Sequence, residues 1–150
     1  MFALQVAMSG LPNIEPVSLL VMVYTVVFGK KCLYPIAVFV VMEILFFGIQ
    51  MWNINYLYIW AILALMAWMF RDMKHPLAWA ILSAVFGLLF GALCAPVYLF
   101  TGGLAYAVSW WVSGIPYDLL HCGGNFAMAL LLFAPLRKLL TNLYARMGNK

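Results

Sequence analysis

Long apolar runs, broken by short polar or charged stretches, make up most of this chain. A helix needs roughly 20 apolar residues to cross the hydrocarbon core of a membrane, with a working range of about 17–25. The runs at 33–50, 76–100 and 116–136 fall within that range, whereas 56–70 and 16–29 are shorter. We predict an all-α integral membrane bundle, a single domain of six transmembrane helices at 1–12, 16–29, 33–50, 56–70, 76–100 and 116–140.

Two stretches are too short to span. As a helix, residues 1–12 are only about 18 Å long, so we interpret them as the outer part of a first helix that ends at Pro12. Residues 103–114 are also short and contain Trp110 and Trp111. Tryptophan concentrates at membrane–water interfaces, so we predict a short interfacial segment between helices 5 and 6.

The positions of the basic residues test the number of helices. With the N-terminus in the cytoplasm, the loops after helices 2 and 4 and the C-terminal tail face inward. The outer loops, at 12–15, 51–55 and 101–115, contain no lysine or arginine. Because cytoplasmic segments carry an excess of these residues, we predict a multi-pass protein of the cell membrane with both termini cytoplasmic. The eight basic residues are Lys30, Lys31, Arg71, Lys74, Arg137, Lys138, Arg146 and Lys150.

The composition supports a membrane protein and excludes several other classes. Hydrophobic residues make up 68% of the chain and charged residues 8%, and the mean hydropathy is +1.06. A soluble domain carries roughly 25% charged residues, so an ordinary soluble enzyme is excluded. The net charge is +4, and the basic residues are grouped in three places between apolar runs. This grouping is typical of the cytoplasmic loops of a membrane protein and not of a surface that binds nucleic acid. The three cysteines are interpreted as small apolar side chains.

The sequence contains no motif for catalysis or for ATP use. A phosphate-binding loop that ends at Gly29 and Lys30 would need glycine at position 24 and serine or threonine at position 31. The sequence has Tyr24 and Lys31 there. His75 and His121 lie on opposite sides of the membrane in this topology, so they cannot share a metal. We therefore expect a protein that is not an enzyme and has no metal or cofactor. Any uphill transport then takes its energy from a partner or an ion gradient.

Polar residues near the predicted helices are few, and apart from Glu43 they cluster at the outer helix ends. Asp118, His121 and Asn125 follow at i, i+3 and i+7, so they share one face of helix 6. With the nearby aromatic residues they have the composition of an outward-facing small-molecule site. The alternatives are an aromatic belt at the lipid interface and, for Asp118, an interaction with the helix N-terminus. The candidate binding residues are Trp52, Asn53, Trp60, Trp110, Tyr117, Asp118, His121 and Asn125.

Glu43 is a further candidate because it lies in the middle of helix 3. A buried carboxylate there needs a partner or a changed proton affinity. Binding a ligand cation, bonding to a neighbouring helix and carrying a proton all stay open.

Small residues form a smooth face on helix 5, where Gly87, Gly91 and Ala95 follow at intervals of four. Such faces allow close packing of membrane helices. Packing within the chain is the favoured interpretation.

Four segments resemble the substrate-binding S components of energy-coupling factor (ECF) vitamin transporters. They are GLPNIEPVSLLV at 10–21, FGKK at 28–31, GLLFGALCA at 87–95 and WWVSGIPYDLLHCGGNFAMALLLFAPL at 110–136. The resemblance implies six helices with both ends in the cytoplasm. It also implies a binding subunit that takes a vitamin or related micronutrient from outside and works with a membrane coupling protein and two cytoplasmic ATPases.

The resemblance assigns roles to particular residues. Ala3 and Ala7 match the AxxxA motif with which the family docks onto its coupling protein, and the outer aromatic and polar residues match its pocket. The absence of outer lysine and arginine favours a ring-bearing or weakly cationic compound over an anion. The first alternative is a non-transporting accessory subunit that only packs against partner membrane proteins. The second, an intramembrane enzyme using His121 and Asp118, lacks a well-placed nucleophile.

Overall fold

The computed structural model describes residues 1–10 and 16–148, and these residues form helices and turns with no strand among them. The predicted all-α class is therefore confirmed. The last helical stretch, Pro76–Gly148, is interrupted at Gly103, whose φ of 78° and ψ of 179° are not helical. We name its two parts α5 (76–102) and α6 (104–148). A 3₁₀ turn at Gly29–Cys32 joins the second and third helices, and the earlier helices are α1 (Phe2–Ala7), α2 (Val17–Phe28), α3 (Leu33–Phe47) and α4 (Met51–Met69).

The reversal at Gly103 folds α5 and α6 into an antiparallel hairpin. Near the turn, the rings of Tyr98 and Trp110 stack with centroids 3.9 Å apart. Further along, the Asn125 side-chain amide donates a hydrogen bond of 3.1 Å to the Ser83 carbonyl oxygen. In these contacting pairs, a lower residue number on α5 goes with a higher residue number on α6. The two helices are therefore antiparallel and in contact over most of the length of α5.

The small-residue face of α5 is the surface that meets α6. A Cβ atom placed on Gly87 would lie 2.8 Å from the backbone of His121, and one on Gly91 would lie 2.5 Å from the Asp118 carboxylate. These distances are shorter than ordinary van der Waals contact. At Gly87 the neighbouring atoms are backbone, so only glycine fits there, whereas a Cβ at Gly91 would displace the Asp118 carboxylate. The face therefore packs within the chain.

α2 is the central helix of the bundle. Every residue from Val17 to Val23 is buried, and the helix contacts both α4 and the α5–α6 hairpin. A helix that is apolar on all sides is surrounded by other elements. α3 and α4 form a second antiparallel pair, in which Phe39 lies against Tyr56 and Trp60.

The basic residues that the structure describes gather at one end of the bundle. There the Lys31 ammonium donates to the Tyr144 hydroxyl at 3.2 Å, and the Arg137 guanidinium donates to the Met73 carbonyl oxygen at 3.4 Å. These bonds bring together the turn after α2, the loop after α4 and the last turns of α6. We call this the basic end; its cations are Lys30, Lys31, Arg71, Lys74, Arg137, Lys138 and Arg146.

The opposite end carries the turns after α3 and α5. Met51, Tyr98, Thr101 and Tyr106 line a groove of about 520 Å³ there. This end is where the sequence predicts an outward-facing site, and we call it the polar end.

Two predicted helix boundaries differ from the structure. α4 begins at Met51, not at 56, because the Gln50 backbone N–H donates to the Asn53 side chain and starts the helix early. The interfacial segment predicted at 103–114 begins with the break at Gly103, and its remaining residues are the first turns of α6, which continues through Pro116.

The predicted first helix at 1–12 also differs. The structure contains only α1, six residues long, and Phe2 of α1 packs on Phe46 at the polar end of α3. Residues 11 and 12 lie outside the described part of the chain, as do Asn13 and Glu15. The predicted helices at 16–29, 33–50 and 76–100 agree with the structure to within three residues, and α6 extends beyond its predicted end at 140 to 148.

The bundle exposes apolar side chains and buries polar ones. Two helical stretches, Met51–Met69 and Pro76–Met147, are long and apolar enough to cross a membrane, and the second contains the break at Gly103. Large apolar side chains project outward from four helices, among them Leu45, Phe46, Leu57, Leu65, Leu89, Leu119 and Leu131.

Replacement of Gly87 by alanine tests the α5–α6 contact. The added Cβ meets the His121 backbone at 2.8 Å, so the helices must separate, and we expect a loss of about 1–3 kcal/mol in stability. Gly123→Ala is the control, because a Cβ there meets nothing within 4 Å and alanine favours a helix by up to about 1 kcal/mol. Thermal unfolding in detergent compares the two variants. Equal melting temperatures would contradict the close packing.

Candidate functional site

Aromatic rings gather around Trp60 in the middle of the bundle. Its indole centroid lies 5.3 Å from Tyr56, 5.9 Å from Phe39, 6.1 Å from Phe86 and 6.0 Å from Phe90. These neighbours come from α3, α4 and α5. Trp60 is only 1% exposed, and its indole N–H has no hydrogen-bond partner among the described residues.

Phe90 connects this cluster to α6. Its ring lies 4.9 Å from the His121 imidazole in an edge-on arrangement, and it contacts Trp60 on α4 as well. The predicted site residues Trp60 and His121 are thus joined through one phenylalanine.

A hydrogen-bonded group joins α4 to α5 nearer the polar end. The Tyr58 hydroxyl donates to the Leu93 carbonyl oxygen at 2.8 Å and lies 3.1 Å from the Asn55 side-chain oxygen. Asn55 is buried. On α5, one turn beyond Leu93, Tyr98 stacks on Trp110 of α6. Trp110 is therefore held within the helical hairpin.

Glu43 and Asn53 flank the aromatic cluster on its polar-end side. Glu43 lies one turn beyond Phe39 on the same face of α3, and Asn53 shares a face of α4 with Tyr56 and Trp60. Both side chains are buried, Glu43 at 2% exposure. Glu43 Oε1 and Asn53 Nδ2 have no hydrogen-bond partner in the described part of the chain.

The polar face of α6 packs directly on α5. Asp118 accepts a hydrogen bond from the Gly91 backbone N–H at 3.0 Å, and Asn125 donates to the Ser83 carbonyl oxygen. Asp118, His121 and Asn125 do share one face, but that face meets the glycine stripe of α5 and not an open cavity. One oxygen on each of Asp118 and Asn125 remains without a partner among the described residues.

Two of the predicted binding residues lie outside this region. Trp52 is 44% exposed and Tyr117 is 59% exposed. Each directly precedes a buried polar residue, Asn53 or Asp118, and successive residues on a helix point about 100° apart. The same rotation that turns the polar neighbour inward turns these aromatic rings outward.

The unpartnered atoms define a candidate ligand site. Buried polar atoms in proteins nearly always have a hydrogen-bond partner, and each one left without a partner costs about 1–3 kcal/mol. Here two carboxylate oxygens can accept hydrogen bonds, and an amide and an indole N–H can donate them. Ser18, Ser83 and Asn125 also have a buried side-chain atom without a partner among the described residues. We give the name orphan cluster to four residues from three helices: Glu43 on α3, Asn53 and Trp60 on α4, and Asp118 on α6, where it faces Gly91.

Sequence reasoning missed Tyr58, Tyr98, Phe90 and Ser83. Each of these residues connects a predicted site residue, or its neighbour Asn55, to another helix. The spacing of Tyr58 three residues after Asn55 was a usable signal, since side chains at i and i+3 are neighbours on a helix.

The described residues contain no group of three or more histidine, cysteine or acidic side chains that could hold a metal ion. Cys32, Cys94 and Cys122 are free thiols. Comparisons of the chain with family models, curated proteins and solved structures find no match.

Removal of the Tyr58 hydroxyl tests the link between α4 and α5. Tyr58→Phe leaves Asn55 and the Leu93 carbonyl without this donor, and we expect a loss of about 1 kcal/mol in stability. Tyr117→Phe removes the same atom from an exposed ring and should leave stability unchanged. Thermal unfolding of both variants in one detergent gives the comparison. Equal destabilisation, or none in Tyr58→Phe, would show that the bond does not join the helices.

Proposed function

We propose that this chain is a membrane-embedded binding subunit for uptake of a vitamin or related micronutrient. It works with a separate coupling protein and two cytoplasmic ATPases, as the resemblance to ECF S components implies. The four resembling segments, at 10–21, 28–31, 87–95 and 110–136, support this proposal. A multi-pass topology with a cytoplasmic C-terminus belongs to the same proposal. The predicted first span and cytoplasmic N-terminus are not kept, because α1 is six residues long and Phe2 packs on Phe46 at the polar end.

The distribution of charge supports the orientation in this proposal. The seven described basic residues lie at one end of the bundle, and cytoplasmic ends of membrane proteins are rich in such residues. The orphan cluster lies toward the other end, where a solute arrives from outside. Apolar side chains exposed around the bundle suit contact with lipid.

The orphan cluster is the observation that carries the proposal. Two buried carboxylates and two buried N–H donors beside a group of aromatic rings match a ligand that has a ring and both donors and acceptors. Anions are disfavoured because Glu43 and Asp118 are carboxylates and every described lysine and arginine is at the basic end. The ligand class is therefore a neutral or weakly cationic ring compound.

Mass spectrometry of the small molecule that copurifies with the full chain tests the proposal. Once it is identified, its affinity is measured on variants by titration calorimetry. Trp60→Phe removes the buried N–H and Glu43→Gln removes the carboxylate charge, and we expect each to weaken binding about tenfold or more. Trp52→Phe makes the same ring change at an exposed position and should bind as the wild type does.

The accessory-subunit alternative makes the opposite prediction. If no small molecule copurifies and the Trp60 and Glu43 variants fold normally, the protein only packs against partners. Unchanged affinity in both variants would instead move the ligand site away from the orphan cluster.

Docking onto the coupling protein is assigned to Ala3 and Ala7. Both are exposed on one side of α1, and small side chains permit close approach of a partner helix. The double change Ala3→Trp with Ala7→Trp should abolish uptake of the identified ligand by cells while its affinity stays the same. Leu4→Trp, on a neighbouring exposed face, is the control and should retain uptake. Normal uptake in the double variant would refute the docking assignment.

A further inference from the structure

A second cavity lies at the basic end, between the loop that follows α4 and the last third of α6. Its volume is about 260 Å³. The cavity lies at the other end of the bundle from the orphan cluster and shares no residue with it. A role for this cavity is therefore independent of the proposed transport function. Its polar lining consists of Lys74, Arg137, Lys138, Thr141 and Asn142.

One carbonyl group holds the cavity in shape. The Met73 carbonyl oxygen accepts hydrogen bonds from the Trp79 indole N–H at 3.1 Å and from the Arg137 guanidinium at 3.4 Å. Trp79 in turn stacks on Phe133 with ring centroids 4.2 Å apart. Arg137 is thereby fixed at the cavity with most of its five N–H donors still available for a ligand.

The cavity has an excess of positive charge. Three cations line it, and none of the lining residues is acidic. Asp72, on the same loop, is exposed and does not line the cavity. α5 begins at the cavity with Pro76, and the N-terminus of a helix adds partial positive charge. An anion bound here relieves repulsion among Lys74, Arg137 and Lys138.

The remaining surface of the cavity is apolar. Trp79, Phe133 and Ala134 line it. On α6, Ala134 and Leu130 continue the face of Arg137 toward the middle of the bundle, and both are exposed. A ligand that matches this surface has an anionic head and an apolar tail.

We propose that this cavity binds the phosphate group of an anionic phospholipid, with an acyl chain lying along Ala134 and Leu130. The relevant chemistry is a phosphate held by a guanidinium and two ammonium groups. Basic pockets between helices at the cytoplasmic side are suited to such head groups. A free phosphate ion shares the head-group chemistry but lacks the tail.

Native mass spectrometry of the full chain, released from nanodiscs of phosphatidylcholine with phosphatidylglycerol, tests this proposal. We expect a bound phosphatidylglycerol on the wild type and a loss of about tenfold or more in its occupancy for Arg137→Gln with Lys138→Gln. Lys74→Gln with Lys138→Gln should lose it as well, and that variant keeps the bond from Arg137 to Met73. Lys30→Gln with Lys31→Gln removes the same charge at the same end, outside the cavity, and should keep the lipid.

Three outcomes would overturn the proposal. If the Lys30 and Lys31 control loses as much phosphatidylglycerol as the cavity variants, the lipid is held by the overall positive charge of the basic end and not by the cavity. Equal retention of phosphatidylcholine and phosphatidylglycerol would show that the net negative charge of the head group is not recognised. Displacement of the lipid by millimolar inorganic phosphate in detergent would make the cavity a site for a soluble anion.

Discussion

The close approach of α5 and α6 is the constraint on which the other features of this structure depend. Gly87 faces the backbone of α6 and Gly91 faces the Asp118 side chain, and neither glycine has a side chain in the way. Asp118 and Asn125 therefore reach backbone atoms of α5. Association between helices in lipid relies on packing and on interhelical hydrogen bonds, because the lipid tails are as apolar as the side chains. The same contact sets His121 against Phe90 and so connects α6 to the aromatic cluster around Trp60.

The two ends of the bundle have different chemistry because the basic residues and the buried polar residues are separated along it. At the basic end, lysine and arginine surround a cavity built on the Trp79–Phe133 stack. Toward the polar end, buried amides, carboxylates and hydroxyls face one another between helices. Long basic side chains can extend to water from a helix end, whereas Glu43 and Asn53 have no such route from their buried positions. Their unpartnered atoms are therefore a cost that a bound ligand can offset.

Two sequence patterns, the spacing of small residues and the spacing of polar residues, differed in how well they predicted contacts. The spacing of Gly87, Gly91 and Ala95 predicted a packing face, and α6 occupies it. The spacing of Asp118, His121 and Asn125 predicted a shared face correctly, but periodicity could not show that this face meets α5 instead of an open cavity. For Trp52 and Tyr117, residue type suggested a place in the binding site, and the helix rotation that buries Asn53 and Asp118 points both rings outward.

The sequence alone determined the all-α class, the position of most helices and the clustering of basic residues, because these depend on apolar runs and on charge placement along the chain. Only the tertiary structure decided that α6 starts directly after Gly103, that Phe90 lies between Trp60 and His121, and that Met73 positions Arg137. Each of these features joins residues from different helices or depends on one backbone torsion. Hydropathy and helical periodicity describe one segment at a time, so they carry no information about which neighbour a face will meet.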